Sequence, residues 1–271
     1  MTTTTRDTTP RRSDLAGAAE RLRALHRPGR PLVLVNAWDV ASARRVEALG
    51  AQAVGTSSAA VAASLGVPDD RSAPLDEMFD AVARIARAVA VPVTADVLDG
   101  YGLPADELVE RLLAAGAVGC NLEDTDHVGG RGLVEAPAMA DRLSAVREAA
   151  RAAGVPVVLN ARVDVLVHAR PDRPDLQGEI VDRARRYLAA GADCAFPVRL
   201  GDPTLVATVV EAVGGRVNAS AVPGTTVEAL AGAGAARVSV GPQAQAASLD
   251  ALDAFGARLL ATPVRPARTP T

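Results

Sequence analysis

From Pro31 onward, short apolar runs alternate with longer stretches of helical period. The runs are 31–39 (PLVLVNAWD), 53–58, 91–97 (VPVTADV), 118–124 (VGCNLED), 155–165 (VPVVLNARVDV), 192–199, 216–222 and 236–241. Apolar residues at consecutive positions occupy both faces of an extended chain, the pattern of parallel strands covered on each side by helices. The intervening stretches, such as 104–115, 138–153 and 177–190, carry Leu, Val or Ile at i, i+3, i+4 spacing and predict amphipathic helices. Four runs follow a glycine placed where a helix should stop: Gly50, Gly116, Gly191 and Gly234. Eight such units in roughly 230 residues predict an α/β fold, the (β/α)8 TIM barrel. An open doubly wound sheet is the alternative, but the turn after the first run, NAWDVAS, has no glycine and so no dinucleotide fingerprint. The expected division is a tail and lead-in helix over 1–24, one barrel domain over 25–262, and a C-terminal tail over 263–271. Residues 1–13 and 263–271, rich in Thr, Pro and Arg, read as tails.

Composition narrows the chemistry. With 49% apolar residues, a chain of 271 residues can bury a large core, yet it has no run long enough to span a bilayer. Met1–Pro10 lacks the apolar segment of a secretory signal. A formal charge of −3 gives no electrostatic reason to expect nucleic acid or an anionic membrane as partner. Cys120 and Cys194 lie far apart in apolar runs and read as buried free thiols of a reducing, cytoplasmic compartment. All 29 basic residues are arginine. Schiff-base and pyridoxal-phosphate chemistry and a Walker-type phosphate loop each need a lysine amine, so all three are excluded. Neither PLP nor NAD is expected.

In such a barrel the chemistry sits at the C-terminal strand ends. The polar residues there are Asn36 and Asp39; Thr56, Ser57 and Ser58, with Asp69 and Asp70 beyond; Asp96 and Asp99; Glu123, Asp124, Asp126 and His127; Asn160, Arg162 and Asp164; and Asn218 and Ser220. Carboxylates converging from Asp69, Asp96, Glu123 and Asp99 would repel unless a hard cation, Mg²⁺ or Mn²⁺, neutralised them. His26, His127 and His168 lack the spacing of zinc ligands. Arg162, inside an apolar strand, needs an anionic partner that its fork matches. A metal, an arginine and small donors at Ser57 and Ser58 are what a 2-oxo acid or its enolate requires. Simpler roles stand beside these. Asp39, Asp124 and Asp164 could be helix N-caps, Arg162 a structural ion pair, Ser57 and Ser58 fillers, and His127 and His168 solvated loop residues. Trp38 reads as packing.

The segments LGVPD (65–69), TADVLDGYG (94–102), GCNLED (119–124) and LNARVD (159–164), in this order, resemble the isocitrate lyase and phosphoenolpyruvate mutase superfamily over about residues 25–260. The resemblance implies a (β/α)8 barrel of the phosphoenolpyruvate/pyruvate-domain type. Its eighth helix, here 243–261 with Leu249, Leu252, Phe255, Leu259 and Leu260 on one face, would be exchanged between subunits of a homodimer or homotetramer. It also implies Mg²⁺ bound directly by Asp96 and through water by Asp69 and Glu123. By the same resemblance Ser57 and Ser58 bind the substrate carboxylate, Arg162 grips the oxo acid, and Asn218 and Ser220 contact a further carboxylate.

Two departures stand out. The family's second metal-motif acid is replaced by Leu98, with an acid one place later at Asp99. The Lys-Cys-Gly-His loop of the lyases is replaced by Thr125–Arg131 (TDHVGGR), without cysteine or lysine. The expected function is a Mg²⁺-dependent lyase cleaving a C–C bond beside a 2-oxo acid or enolate of a small carboxylate, with His127 as acid/base. The alternatives are P–C chemistry of the phosphoenolpyruvate mutase or phosphonopyruvate hydrolase type, disfavoured by the missing lysine, and a catalytically silent carboxylate-binding barrel.

Overall fold

The computed structural model describes residues 11–130, 132–169 and 175–261. The chain enters through α1 (Arg12–Ala24), then runs β1 (Leu32–Leu34), β2 (Asn36–Ala37), α2 (Val40–Ala48), β3 (Val54–Thr56), α3 (Ser58–Leu65), α4 (Leu75–Ala88), β4 (Val93–Asp96) and α5 (Ala105–Ala114). There follow β5 (Gly119–Glu123), β6 (Thr125–Asp126), β7 (Gly132–Leu133), α6 (Ala136–Ala152), β8 (Val158–Val163), α7 (Leu176–Ala189) and β9 (Cys194–Pro197). The last elements are α8 (Pro203–Val213), β10 (Asn218–Ser220), α9 (Val227–Gly232), β11 (Arg237–Ser239) and α10 (Gln243–Leu260). Helix α1 starts inside the segment 1–13 expected to be a tail, because Leu15, Ala19 and Leu22 share one buried face. Residues 1–10 and 263–271 lie outside the described residues.

Parallel sheets β2-β3-β4-β5-β8-β9 and β1-β11-β10 form the barrel wall. They close because β1 and β2 are one extended segment interrupted at Val35, and because Ala195 bridges Val217 just before β10. All eight expected runs are barrel strands, and the expected TIM-barrel fold is borne out. Register fixes which side chains share the lumen. Asp96, Asn121, Asn160 and Cys194 stand level on β4, β5, β8 and β9, and two residues on come Glu123, Arg162 and Phe196. The two-residue period puts both rows on the same face. The opposite face packs its apolar residues under the helices: Leu122, Leu159, Ala161 and Val163 meet Leu143, Val146, Ile180 and Leu188 in one continuous core. Helix α1 plugs the N-terminal end of the barrel. A side chain at Gly119 would come within 2.8 Å of Leu22, so only glycine lets the plug seat. Both cysteines are buried and free. Among the described residues, no helix is long and apolar enough to cross a membrane.

Candidate active site

Asp96 ends β4 in the barrel mouth. Its backbone N–H donates to Thr56 Oγ1 (3.0 Å), and its Oδ2 accepts from Ser58 N and Ser58 Oγ (3.3 and 3.1 Å). Ser57 Oγ accepts from Ala60 N as the N-cap of α3, so the helix begins against Asp96 with its positive end toward the carboxylate. Oδ1 of Asp96 is buried and receives no hydrogen bond; Arg162 Nη1 stands 3.6 Å away.

Arg162 is the hub. It reaches Glu123 Oε2 (2.5 Å) through Nη1, and Asp164 through Nε and Nη2 (3.2 and 2.9 Å). Burial works against its charge, but Asp164, Glu123 and Asp96 outweigh it and hold the guanidinium above its ordinary pKa. Asp164 is fixed in turn by Thr125 Oγ1 (2.7 Å), while its own N–H donates to Asp124 (2.8 Å). His168 Nε2 lies 3.0 Å from the Thr125 hydroxyl; because that hydroxyl donates to Asp164, the ring nitrogen is assigned as a donor. Asp124 accepts from Arg183 and Tyr187. Of the three aspartates weighed as N-caps, only Asp39 is one, accepting from Ser42 N at 2.7 Å.

Beyond β5 the chain makes a small hairpin, β6 with β7, that carries His127 over the mouth. Asp126 Oδ1 pins the turn by accepting from Val128 N and Gly129 N. His127 Nε2 sits 2.6 Å from Glu123 Oε1. Burial pushes the Glu123 carboxyl up to about 7 against the pull of Arg162 and His127, and the bond to Glu123 raises His127.

Asp69 lies on the loop between α3 and α4. Asp69 is exposed there, and partial cover of its carboxyl and then the charge of Asp96 raise its pKa. Asp99 is turned elsewhere: both its contacts are to Arg71, through Nε at 2.8 Å and through Nη2. It does not join the other carboxylates, so the acid beside Leu98 is a brace and no substitute ligand. Asn218 is fully buried and donates to Ser239 Oγ (3.1 Å), while Ser220 Oγ accepts from Arg199 N (2.9 Å).

Does the donor set fit Mg²⁺? Among the described residues, no three His, Cys, Asp or Glu side chains stand close enough to hold an ion together. Mg²⁺ needs no such cage, since it keeps several waters and binds through one or two carboxylates. The bare, buried Asp96 Oδ1, with Glu123 and Asp69 at the same mouth, fits one direct ligand and two water-mediated ones.

Sequence reasoning passed over Arg71, Thr125, Arg199, Ser239 and Arg237. For Arg237 the signal was present: an arginine in the apolar run ARVSV (236–240) invites the argument made for Arg162. For the others, only three-dimensional proximity gives the role.

The sequence profile described as phosphoenolpyruvate phosphomutase matches residues 22–260. An uncharacterized protein of Mycobacterium tuberculosis is 33% identical over 226 residues, 83% of each chain. The 2-methylisocitrate lyase of Escherichia coli is 27% identical over 212 residues, 70% of this chain and 68% of its own. A crystal structure from Burkholderia cenocepacia, provisionally assigned as a phosphonomutase, superposes with a TM-score of 0.83 at 37% identity, covering 90% of this chain and 99% of the other. These matches bear out the resemblance of the four motifs: the chain belongs to the phosphoenolpyruvate phosphomutase family.

Proposed function

We propose that this protein is a Mg²⁺-dependent lyase that cleaves a C–C bond next to a 2-oxo acid or its enolate in a small carboxylate. The observation that carries the reading is that Arg162 and His127 meet at one mouth on the two carboxyl oxygens of Glu123, at 2.5 and 2.6 Å. Cleavage of a 2-hydroxy acid needs a base for the hydroxyl proton and an acid for the carbanion left behind. An imidazole hydrogen-bonded to a carboxyl can do both. Relatives support the carbon chemistry: 2-methylisocitrate lyases, and structures of oxaloacetate acetylhydrolase and 2,3-dimethylmalate lyase. The phosphoenolpyruvate phosphomutase of Streptomyces platensis, 26% identical, keeps P–C chemistry as the second reading.

Asp96 would hold the metal directly, with Glu123 and Asp69 acting through water. When bound, it would polarise the 2-oxo carboxylate oxygens and lower the cost of developing enolate charge. Arg162 orients the oxo acid against that end of the site, and Ser58 shares its hydroxyl between Asp96 and an incoming carboxylate. The N-terminus of α3, set by the Ser57 cap, adds a favourable dipole for the same carboxylate. His127 removes the substrate hydroxyl proton and returns one to the departing carbon.

The molecule works as a homo-oligomer in which α10 is exchanged. Leu249, Leu252, Phe255, Leu259 and Leu260 on α10 are 51–90% exposed, and Val33 on β1 is 38% exposed.

The test of the activity is ¹H and ³¹P NMR of the protein with Mg²⁺ and a pool of oxaloacetate, 2-methylisocitrate, isocitrate, dimethylmalate and phosphonopyruvate, beside an enzyme-free control. One carboxylate should vanish only when protein and metal are both present. Consumption of the phosphonate alone replaces the first reading with the second. No turnover together with no Mg²⁺ binding leaves a silent carboxylate-binding barrel.

A further inference from the structure

Arg237 on β11 is 1% exposed and makes no ion pair among the described residues. A guanidinium keeps its charge at physiological pH, and sealing it from water without a counter-ion is costly. Its two hydrogen bonds show where that charge is directed. Nε donates to Ser239 Oγ (3.0 Å), two residues further along the same strand, so the side chain climbs the lumen toward the mouth. There Nη2 donates to Asn121 Oδ1 (3.1 Å), across the barrel on β5.

Asn121 lies on the lumen face of β5, between Gly119, which meets the α1 plug, and Glu123 in the mouth. Its Oδ1 also accepts from Asn160 Nδ2 (2.8 Å). Two donors on one oxygen fix which end of the amide is which. Nδ2 is the free end: it has no hydrogen-bond partner among the described residues and is not sealed from solvent. With the plug and Arg237 filling the lumen beneath, that opening is to the mouth. Asp96, the direct metal ligand in the proposed function, is the register partner of Asn121 on β4 and presents a bare Oδ1. An unused donor and an unused acceptor thus stand on adjacent strands at one level of the mouth. The charge of Arg237 strengthens the donor, because drawing on Oδ1 polarises the amide.

We propose that Asn121 is a catalytic residue that donates Nδ2–H to the substrate oxygen seated beside Asp96, the one that becomes the enolate oxygen, and that Arg237 is its positioning residue. The inference rests on the reading of the mouth as a 2-oxo-acid seat and adds a fixed donor for the charge that develops there. Isothermal titration tests it, first with Mg²⁺ and then, in saturating Mg²⁺, with oxalate, whose oxygens stand in for those of the enolate. Asn121→Ala should weaken oxalate by about tenfold or more, the scale of a lost hydrogen bond to a charged group, and leave Mg²⁺ within about twofold. Arg237→Met should weaken oxalate several-fold in wild type and add under about twofold to Asn121→Ala, because it acts through that amide. Arg237→Lys, which keeps the charge, should lose less than Arg237→Met. Asn121→Ala leaves the bond from Arg237 to Ser239 in place, and it decides the donor by itself if Arg237→Met does not fold. Oxalate bound alike by wild type and Asn121→Ala overturns the donor and leaves the proposed function standing. Parallel loss of oxalate and Mg²⁺ overturns it too, since the metal seat is then what has moved. Additive losses from Asn121→Ala and Arg237→Met overturn the positioning role. Failure of wild type to bind oxalate overturns the oxo-acid seat on which both readings rest.

Discussion

Glu123 stands between Arg162 on one side and His127 on the other, and its environment sets how each behaves. Arg162 stays charged because three carboxylates surround it, so it can only grip. His127 has one carboxylate partner and keeps 14% of its side chain exposed on the hairpin, enough to exchange its proton with solvent and substrate. His127→Asn should therefore lower kcat by roughly 10²–10⁴-fold, the usual size of an acid/base contribution, with oxalate affinity little changed. Turnover within twofold of wild type removes His127 from the chemistry.

A second histidine carries a stability effect and no catalytic one. His26 donates Nδ1–H to Leu22 O (2.9 Å), leaving Nε2 buried without a partner. Burial, then the charge of Arg237, depress its pKa to about 4. The folded state thus holds His26 neutral between pH 4 and the unfolded value near 6.5, where the unfolded chain binds the proton. Stability from this residue is complete above pH 6.5, falls as pH drops toward 4, and falls no further below that. The difference in unfolding free energy between wild type and His26→Gln should shrink by roughly 2–3 kcal/mol from pH 7.5 to 4.5 in urea titrations. A difference that does not change with pH refutes the assignment.

At the scale of elements, what joins neighbouring strand-end loops is a pair of side chains. Arg71, on the loop that carries Asp69, forks onto Asp99 in the turn after Asp96 and lies over Gly102, whose left-handed φ of 72 favours glycine. Arg71→Gln should free the Asp69 loop. Mg²⁺ affinity should fall several-fold through its water-mediated ligand, while the melting temperature drops only slightly, because this half-exposed ion pair contributes under about 1 kcal/mol. Unchanged Mg²⁺ affinity would show that the brace has no bearing on the metal end. The same comparison shows why some of this molecule could be read from sequence and some could not. Gly50, Gly116, Gly191 and Gly234 have φ of 90, 78, 103 and 88. A helix stop is a local backbone demand and leaves a residue-specific mark. The eight runs were legible for a related reason, since burial on both faces forces uninterrupted apolar residues. Asp96, Glu123 and Arg162 could be placed because strand ends share one mouth. The brace between Arg71 and Asp99, 28 residues apart, and the pairing of Ser239 with Ser220 depend on how loops and strands meet after folding, and no periodicity encodes that.

At the scale of the whole molecule, α10 is the element that the barrel leaves over. Gln245 is its single buried residue among those described, anchoring the first turn through Nε2 to Ala60 O (2.8 Å). The rest of an 18-residue helix, about 27 Å long, leads away with its apolar stripe uncovered. A depression of about 280 Å³ lined by Val33, Val35, Val46 and Leu49 remains on the outside of β1 and α2, and Leu49 is 85% exposed. An apolar stripe and an apolar seat that do not meet within one chain are complementary between two. Light scattering should accordingly give a dimer or a larger even-numbered assembly for wild type at micromolar concentration. Leu252→Asp with Phe255→Asp should yield a monomer whose barrel still binds oxalate, because neither residue touches the mouth. A wild-type monomer, or a double variant that keeps its assembly, would mean that α10 is not the joint and that something other than a second copy covers β1.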